Sequence, residues 1–150
     1  MDSLERELRK LLADSGSSVT RVRGDIVLTI AGPGVFESDR AEIGPAFQES
    51  LGALASLLSA VGSTLIEVTG FTDATGPMIA NLALSLARAE RIAQVLATHG
   101  VPKERVVAKG LGPLRPIADN DTPEGRQLNR RVELTIGRLP GERMAAVAAH

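Results

Sequence analysis

Ile43, Phe47, Leu51, Leu54, Leu58 and Val61 recur at steps of three and four residues, Gly62 stops the series, and the branched run Leu65-Ile66-Glu67-Val68-Thr69 follows. The first period lines one side of a helix, and the run after the glycine is a strand. A helix feeding a strand in this way commits the chain to helix-on-sheet packing. The same alternation continues on either side. Residues 3–13 read as a short helix capped by Ser3, with Leu4, Leu8, Leu11 and Leu12 on one face; Gly16 and the serines after it break that pattern. Ile26–Ile30 reads as a strand covered on both faces and ended by Gly32-Pro33-Gly34. The second helix is expected to begin near Asp39, which with Glu42 forms a start like a capping box. Residues 70–81 read as a loop. A third helix follows from Leu82 or Ser85 to His99, turning Ala89, Ile92, Ala93 and Leu96 inward, and Gly100 and Pro102 end it. Arg105–Lys109 reads as a strand, 110–125 as a long loop, and Arg131–Ile136 as an alternating strand with one buried and one wet face. The order α-β-α-β-α-β-β predicts an α+β fold: a mixed four-stranded sheet with helices packed on one face.

The 150 residues fit one domain, and an apolar fraction of 43% supplies its core. Phe36, Phe47 and Phe71 are the only aromatics, so the core is aliphatic and platforms for stacking bases are nearly absent. A formal charge of -1 with dispersed bases argues against nucleic acid as a partner. The absence of cysteine excludes disulfides and thiolate metal sites and leaves the compartment open. No apolar run reaches the roughly 20 residues of a membrane span, and the charged start is unlike a signal peptide. A role outside the cytoplasm would therefore place the targeting signal or membrane anchor in a part beyond this chain.

Most motif-like pieces have plain readings. Gly32-Pro33-Gly34 and Gly110-Leu111-Gly112-Pro113 lack the spacing and the Lys-Ser/Thr of a phosphate loop and read as turns. His99 sits at a helix C-terminus, His150 is the last residue, and neither has companions for a metal or a triad. Asp119 and Asp121 read as turn formers rather than an acid–base pair. With no nucleophile, metal set or cofactor motif, the chain is expected not to be an enzyme and to carry no cofactor.

Gly70-Phe71-Thr72-Asp73, Arg88 and Asn129-Arg130-Arg131 are different. They set one acid and several bases at the ends of strands and a helix, which is the chemistry of holding a zwitterion. Asp73 either caps local N–H groups or accepts from a ligand. Arg88, placed near the first turn of the third helix, opposes the helix dipole there, a local cost that suits closing on an anion. An Asp73–Arg88 salt bridge is the plain alternative. Arg130 and Arg131 point to opposite faces, so one reaches a site and the other meets an acid or solvent.

These residues resemble the OmpA-like peptidoglycan-binding domain shared by OmpA-type porins, Pal-type lipoproteins and MotB-type stators. The resemblance spans about Val35 to Ile136. It rests on Phe36-Glu37-Ser38-Asp39, Gly70-Phe71-Thr72-Asp73-Ala74-Thr75-Gly76, Asn81, Leu84-Ser85-Leu86-Ala87-Arg88-Ala89, Pro116–Thr122, Glu124-Gly125-Arg126 and Asn129-Arg130-Arg131-Val132-Glu133. It divides the chain into residues 1–34 (N-terminal helix and first strand), a core at 35–137, and a flexible tail at 138–150. It implies non-covalent binding of the peptidoglycan stem peptide through meso-diaminopimelate. Asp73 and Arg88 would grip that residue, Thr72 and Asn81 would add hydrogen bonds, Arg130 would act as a second base, and Phe36 and Leu82 would line the site. It also implies a periplasmic domain of an outer- or inner-membrane-anchored protein. Three departures stand out. Phe71 replaces the family's usual histidine, which leaves packing to hold the loop; Leu111 and Pro113 alter a Gly-Tyr-Gly-Glu pattern; and Glu37 replaces an aspartate. The alternative is the same fold serving as a protein-interaction or oligomerisation part of an envelope machine. In that reading the leucine stripe of the first helix links to a transmembrane segment or pairs with a second copy as a homodimer.

Overall fold

In the computed structural model, residues 2–13, 17–31, 36, 42–62 and 64–138 are described. The elements are α1 (Asp2–Leu11), β1 (Ser18–Val22), β2 (Asp25–Ala31), α2 (Pro45–Ala60), β3 (Thr64–Phe71), α3 (Met78–Thr98), β4 (Val106–Gly112), α4 (Pro123–Asn129) and β5 (Arg131–Arg138). The sheet has five strands in the order β1-β2-β5-β3-β4, one more than the sequence predicts. Only the β3–β4 pair is parallel, with α3 as its crossover.

The additional strand is β1. It buries Val19 and leaves the rest exposed, so it shows no apolar periodicity. It reaches β2 through Arg23-Gly24, whose φ values of 53° and 88° make a two-residue hairpin turn. An arginine in the left-handed region is not a turn signal that a sequence displays. β2 is covered on one face rather than both: Ile26, Leu28 and Ile30 are buried, and Val27 and Thr29 are half-exposed.

Register explains the core. Ile26, Ile136 and Ile66 form one row across β2, β5 and β3; Leu28, Leu134 and Val68 form the next. These side chains are fully buried under Leu51, Leu54 and Leu58 of α2 and Ile92 and Leu96 of α3. The stripe of α1 joins the same core through Leu4, Leu8 and Leu12, with Leu11 partly buried at its edge, so most of it is used within the chain. Glu5 ties α1 to β1 through Arg21 at 2.7 Å.

α2 starts at Pro45, with Gly44 before it, rather than near Asp39; proline suits a first helical position. Asp39, the turn Gly32-Pro33-Gly34 and the tail 139–150 lie outside the described residues. Arg105, placed in a strand by the sequence reading, instead ends the short 3-10 turn before β4. Its guanidinium donates to Leu58 O (3.2 Å) and Val61 O (2.6 Å), satisfying carbonyls at the end of α2, and to Thr64 O (2.8 Å) where β3 begins. α3 starts at Met78, so Asn81 and Leu82 are helical and Arg88 lies in its third turn. The argument that Arg88 opposes the helix dipole therefore falls away, since that effect is confined to the first turn. α4 falls within and just beyond the predicted loop; Thr122 caps it by accepting from Gly125 N at 3.0 Å, and Pro123 opens it.

One close approach sets the position of α3. Gly70 and Gly110 are register partners on β3 and β4. A Cβ on Gly70 would lie 2.2 Å from Ser85 O, and one on Gly110 2.4 Å from Leu86 N. The helix backbone thus rests directly on the sheet backbone at this pair. The buried Ser85 hydroxyl fixes it there, accepting from Gly112 N at 2.9 Å and donating to Leu82 O at 2.9 Å.

Candidate ligand-binding site

Phe71, the last residue of β3, pairs with Arg131, the first of β5. Because the strands are antiparallel, the chain leaving β3 runs alongside the residues that precede β5. Asp73 and Arg130 therefore meet, with Arg130 Nη1 donating to Asp73 Oδ2 at 2.5 Å. Among the described residues this is Asp73's ion pair, in place of the Asp73–Arg88 bridge that the sequence allowed. The Asp73 side chain is only 12% exposed and that of Arg130 is 40% exposed, so the base stays reachable from solvent while the acid is held in the wall.

The loop around Asp73 is built by its own polar side chains. Thr75 N donates to Asp73 Oδ1 at 2.8 Å, the buried Thr72 hydroxyl donates to Asp73 O at 2.8 Å, and Asn81 Nδ2 reaches back from α3 to Thr75 O at 2.9 Å. Thr72 N donates to Gly112 O at 2.9 Å, which joins the loop to the end of β4. Leu82 lies over Gly112 at the same edge.

Burial is the largest single influence on the Asp73 carboxyl and pushes its pKa up. The Thr75 N–H and the Arg130 guanidinium together outweigh it and hold the group below the ordinary carboxylate value. The sign follows: a carboxyl with a lowered folded-state pKa contributes stability in full above its unfolded value and loses it as pH falls through the folded one. Wild type is therefore expected to lose melting temperature below about pH 4, and Asp73→Asn is expected to show a shallower decline over the same window, read by circular dichroism. Parallel declines would count against this assignment.

Arg88 and Phe36 form a second group. The Arg88 guanidinium lies over the Phe36 ring, 5.0 Å from its centroid. Phe36 bridges to Ile43 and packs on the core edge. Arg88 follows Asn81 by seven residues, two turns along one side of α3, so the helix links the two groups.

Arg131 does not reach the site. It is 4% exposed, stacks on the Phe71 ring at 3.8 Å, and donates to Glu133, Asn129 O and Arg115 O. The Phe71 ring is thus held by packing, and the two arginines part because Arg130 closes α4 while Arg131 opens β5.

Two residues that the sequence reading gave no role organise the far side. Asn129 is fully buried; its Oδ1 accepts from Ile117 N (2.8 Å) and Ala118 N (2.9 Å), and its Nδ2 donates to Ala118 O (2.9 Å) and Asn120 Oδ1 (2.8 Å). Asn120 Oδ1 also accepts from Ala74 N at 3.3 Å. A buried asparagine beside two arginines is a signal for such a loop organiser, but its partners are visible only in three dimensions.

Comparison with known proteins agrees with this architecture. Residues 35–130 match the OmpA family. A protein of Escherichia coli K12 named "Probable lipoprotein YiaD" is 40% identical over 93% of this chain and 64% of its own length. The peptidoglycan-binding protein ArfA of Mycobacterium tuberculosis H37Rv is 39% identical over 83% of this chain and 36% of its own. This chain thus spans less than two thirds of either relative. The structure of the cell wall anchor of the T6SS from Pseudomonas aeruginosa superposes with a TM-score of 0.77 at 34% identity, covering 88% of this chain and 97% of that one. With the family match covering well over half of its residues and the fold agreeing, the chain belongs to the OmpA family.

Proposed function

We propose that this domain binds peptidoglycan without turning it over, gripping the meso-diaminopimelate of the stem peptide. The observation that carries the reading is the Asp73–Arg130 pair at the end of the sheet in a chain of this family. Diaminopimelate ends in a zwitterion. Its ammonium takes the place of Arg130 against Asp73, and its carboxylate is held by a guanidinium, so one internal ion pair is exchanged for two with the ligand. Arg88 supplies the fork for that carboxylate and Arg130 a second base. The Thr72 hydroxyl and Asn81 amide are engaged within the loop; their further bonds come from the remaining lone pairs and N–H. Phe36 and Leu82 line the rim. A small zwitterion offers few atoms, so affinity is modest.

The relatives, longer than this chain, support a domain carried by a larger envelope protein. No helix among the described residues is long and apolar enough to cross a membrane. Pairing of two copies through the first helix is not part of this reading, because most of its leucine stripe is buried in the core and Leu11 is only partly exposed.

The test is a titration with stem peptide followed by amide chemical shifts. Shifts centred on residues 70–90 and near Arg130 are expected with the diaminopimelate peptide and not with a lysine peptide, which lacks the extra carboxylate. Arg88→Lys keeps the charge and loses the planar fork, so it is expected to weaken binding about tenfold. Near-wild-type affinity would count against the bidentate grip. No shifts at millimolar peptide would redirect the search to protein partners, and release of cleaved muropeptide would revive an enzymatic role.

A further inference from the structure

We propose that Asn120 is a positioning residue for this site, joining the platform that carries its base to the loop that carries its acid. The two halves come from distant parts of the chain. Asp73 sits on the loop after β3, whose residues 74–77 are exposed. Arg130 follows α4, its backbone N–H still bonded to Arg126 O at 3.1 Å. Apart from the ion pair itself, the side-chain bond joining these two loops runs through one atom. Asn120 Oδ1 accepts from Ala74 N on the acid side and from Asn129 Nδ2 on the base side.

The base side is rigid. Asn129 has all four of its amide hydrogen-bonding sites filled. Arg126 Nη1 donates to Asn120 O at 3.0 Å, so the Asn120 backbone is pinned to α4 as well. The acid side is held at Thr75 by Asn81 and at Thr72 by Gly112. Between those anchors, Ala74 N is the group that Asn120 catches, directly beside Asp73. A site that binds a zwitterion depends on the separation of its two charges, and a shared acceptor between their supports fixes that separation.

The inference rests on the wall-binding reading for its ligand arm only. Asn120→Asp keeps the double acceptor, while Asn120→Ala and Asn120→Ser remove it. For each variant three quantities would be measured: affinity for the diaminopimelate stem peptide, the Ala74 amide chemical shift, and the titration of the Asp73 carboxyl by carbon NMR. Asn120→Ala is expected to bind about tenfold more weakly, with the Ala74 amide displaced and the Asp73 titration moved up towards its ordinary value as Arg130 is released. Asn120→Asp is expected to return the Ala74 amide to near wild type, since its carboxylate still accepts there, while its added charge beside Asp73 moves that titration up. Should Asn120→Ala not fold, Asn120→Ser carries the same expectations. An unchanged Ala74 amide and Asp73 titration in the folded Ala or Ser variant would overturn the proposal, as would an Asp variant that fails to restore the Ala74 amide. If wild type binds no peptide, the wall-binding reading fails, and the Ala74 and Asp73 signals still decide the role of Asn120.

Discussion

Replacing Asp73 by alanine is expected to lower affinity for a diaminopimelate stem peptide by about a hundredfold or more, because truncating one partner of a largely buried charge pair costs several kcal/mol. In the proposed grip the carboxylate accepts from the ligand ammonium, and it is held ready by Thr75 N and Arg130. Its loss leaves Arg130 facing an incoming ammonium with no acid between them, so the site repels half of its ligand. Asp73→Asn should fall in between: the amide oxygen can still accept from Thr75 N, but the charge is gone. Calorimetric titration of the two variants beside wild type, with melting temperature recorded for each, checks the order. Affinity of the folded alanine variant within a factor of three of wild type would remove Asp73 from the binding role.

Gly70→Ala is expected to be strongly destabilising, because the helix backbone leaves no room for its methyl. Overpacking a tight core costs about 1–3 kcal/mol and occasionally more. Here the added carbon meets main chain, Ser85 O at 2.2 Å, rather than the yielding end of a side chain. A loss of about 3 kcal/mol or more, or about 10 °C in melting temperature, is the expected result. The same shift moves α3, which carries Asn81 and Arg88, so ligand affinity should fall even where the variant is folded. Gly110→Ala presses on the next residue of the same helix. The double variant should therefore be less harmful than the sum, since one displacement of α3 relieves both clashes. Chemical denaturation measures all three. A melting temperature within about 2 °C of wild type for Gly70→Ala would show that α3 has room to give.

What the sequence disclosed and what it hid follow from how each element is stabilised. The apolar stripe of α2 and the strands β3 and β5 announce themselves because their periodicity is the burial pattern, whereas the continuous run of β2 reads as covered on both faces and only one is buried. β1 was invisible because it is held by backbone pairing to β2 and buries little besides Val19. α4 was hidden by its length and its internal Gly125, although Thr122 and Pro123 mark its start; a Cβ at Gly125 would meet Asp119 O at 1.7 Å, so the glycine is demanded by the neighbouring loop. The start of α3 was set too late because Gly76 and Pro77 read as loop, and that error carried Arg88 into the wrong turn. At the site, a division of roles between Arg130 and Arg131 was legible, although its cause is that Arg130 ends α4 and Arg131 begins β5. That Asp73 pairs with Arg130 was not, because it depends on β3 and β5 being neighbours in the sheet. The same holds for Asn120 and Asn129, whose side chains are short-range organisers of loops and leave no periodic trace.

β5 lies in the middle of the sheet, between β2 and β3, yet it comes last among the elements of the described residues. Until it inserts, the β1–β2 hairpin and the β3–α3–β4 unit share no strand pairing, and Asp73 has no Arg130 to face. Chains whose central contacts span such long sequence separations pay loop-closure entropy before those contacts form. On the proposed reading, the ability to bind arrives with the completed sheet, and a chain cut short before Arg130 is expected to be inert rather than a weaker binder.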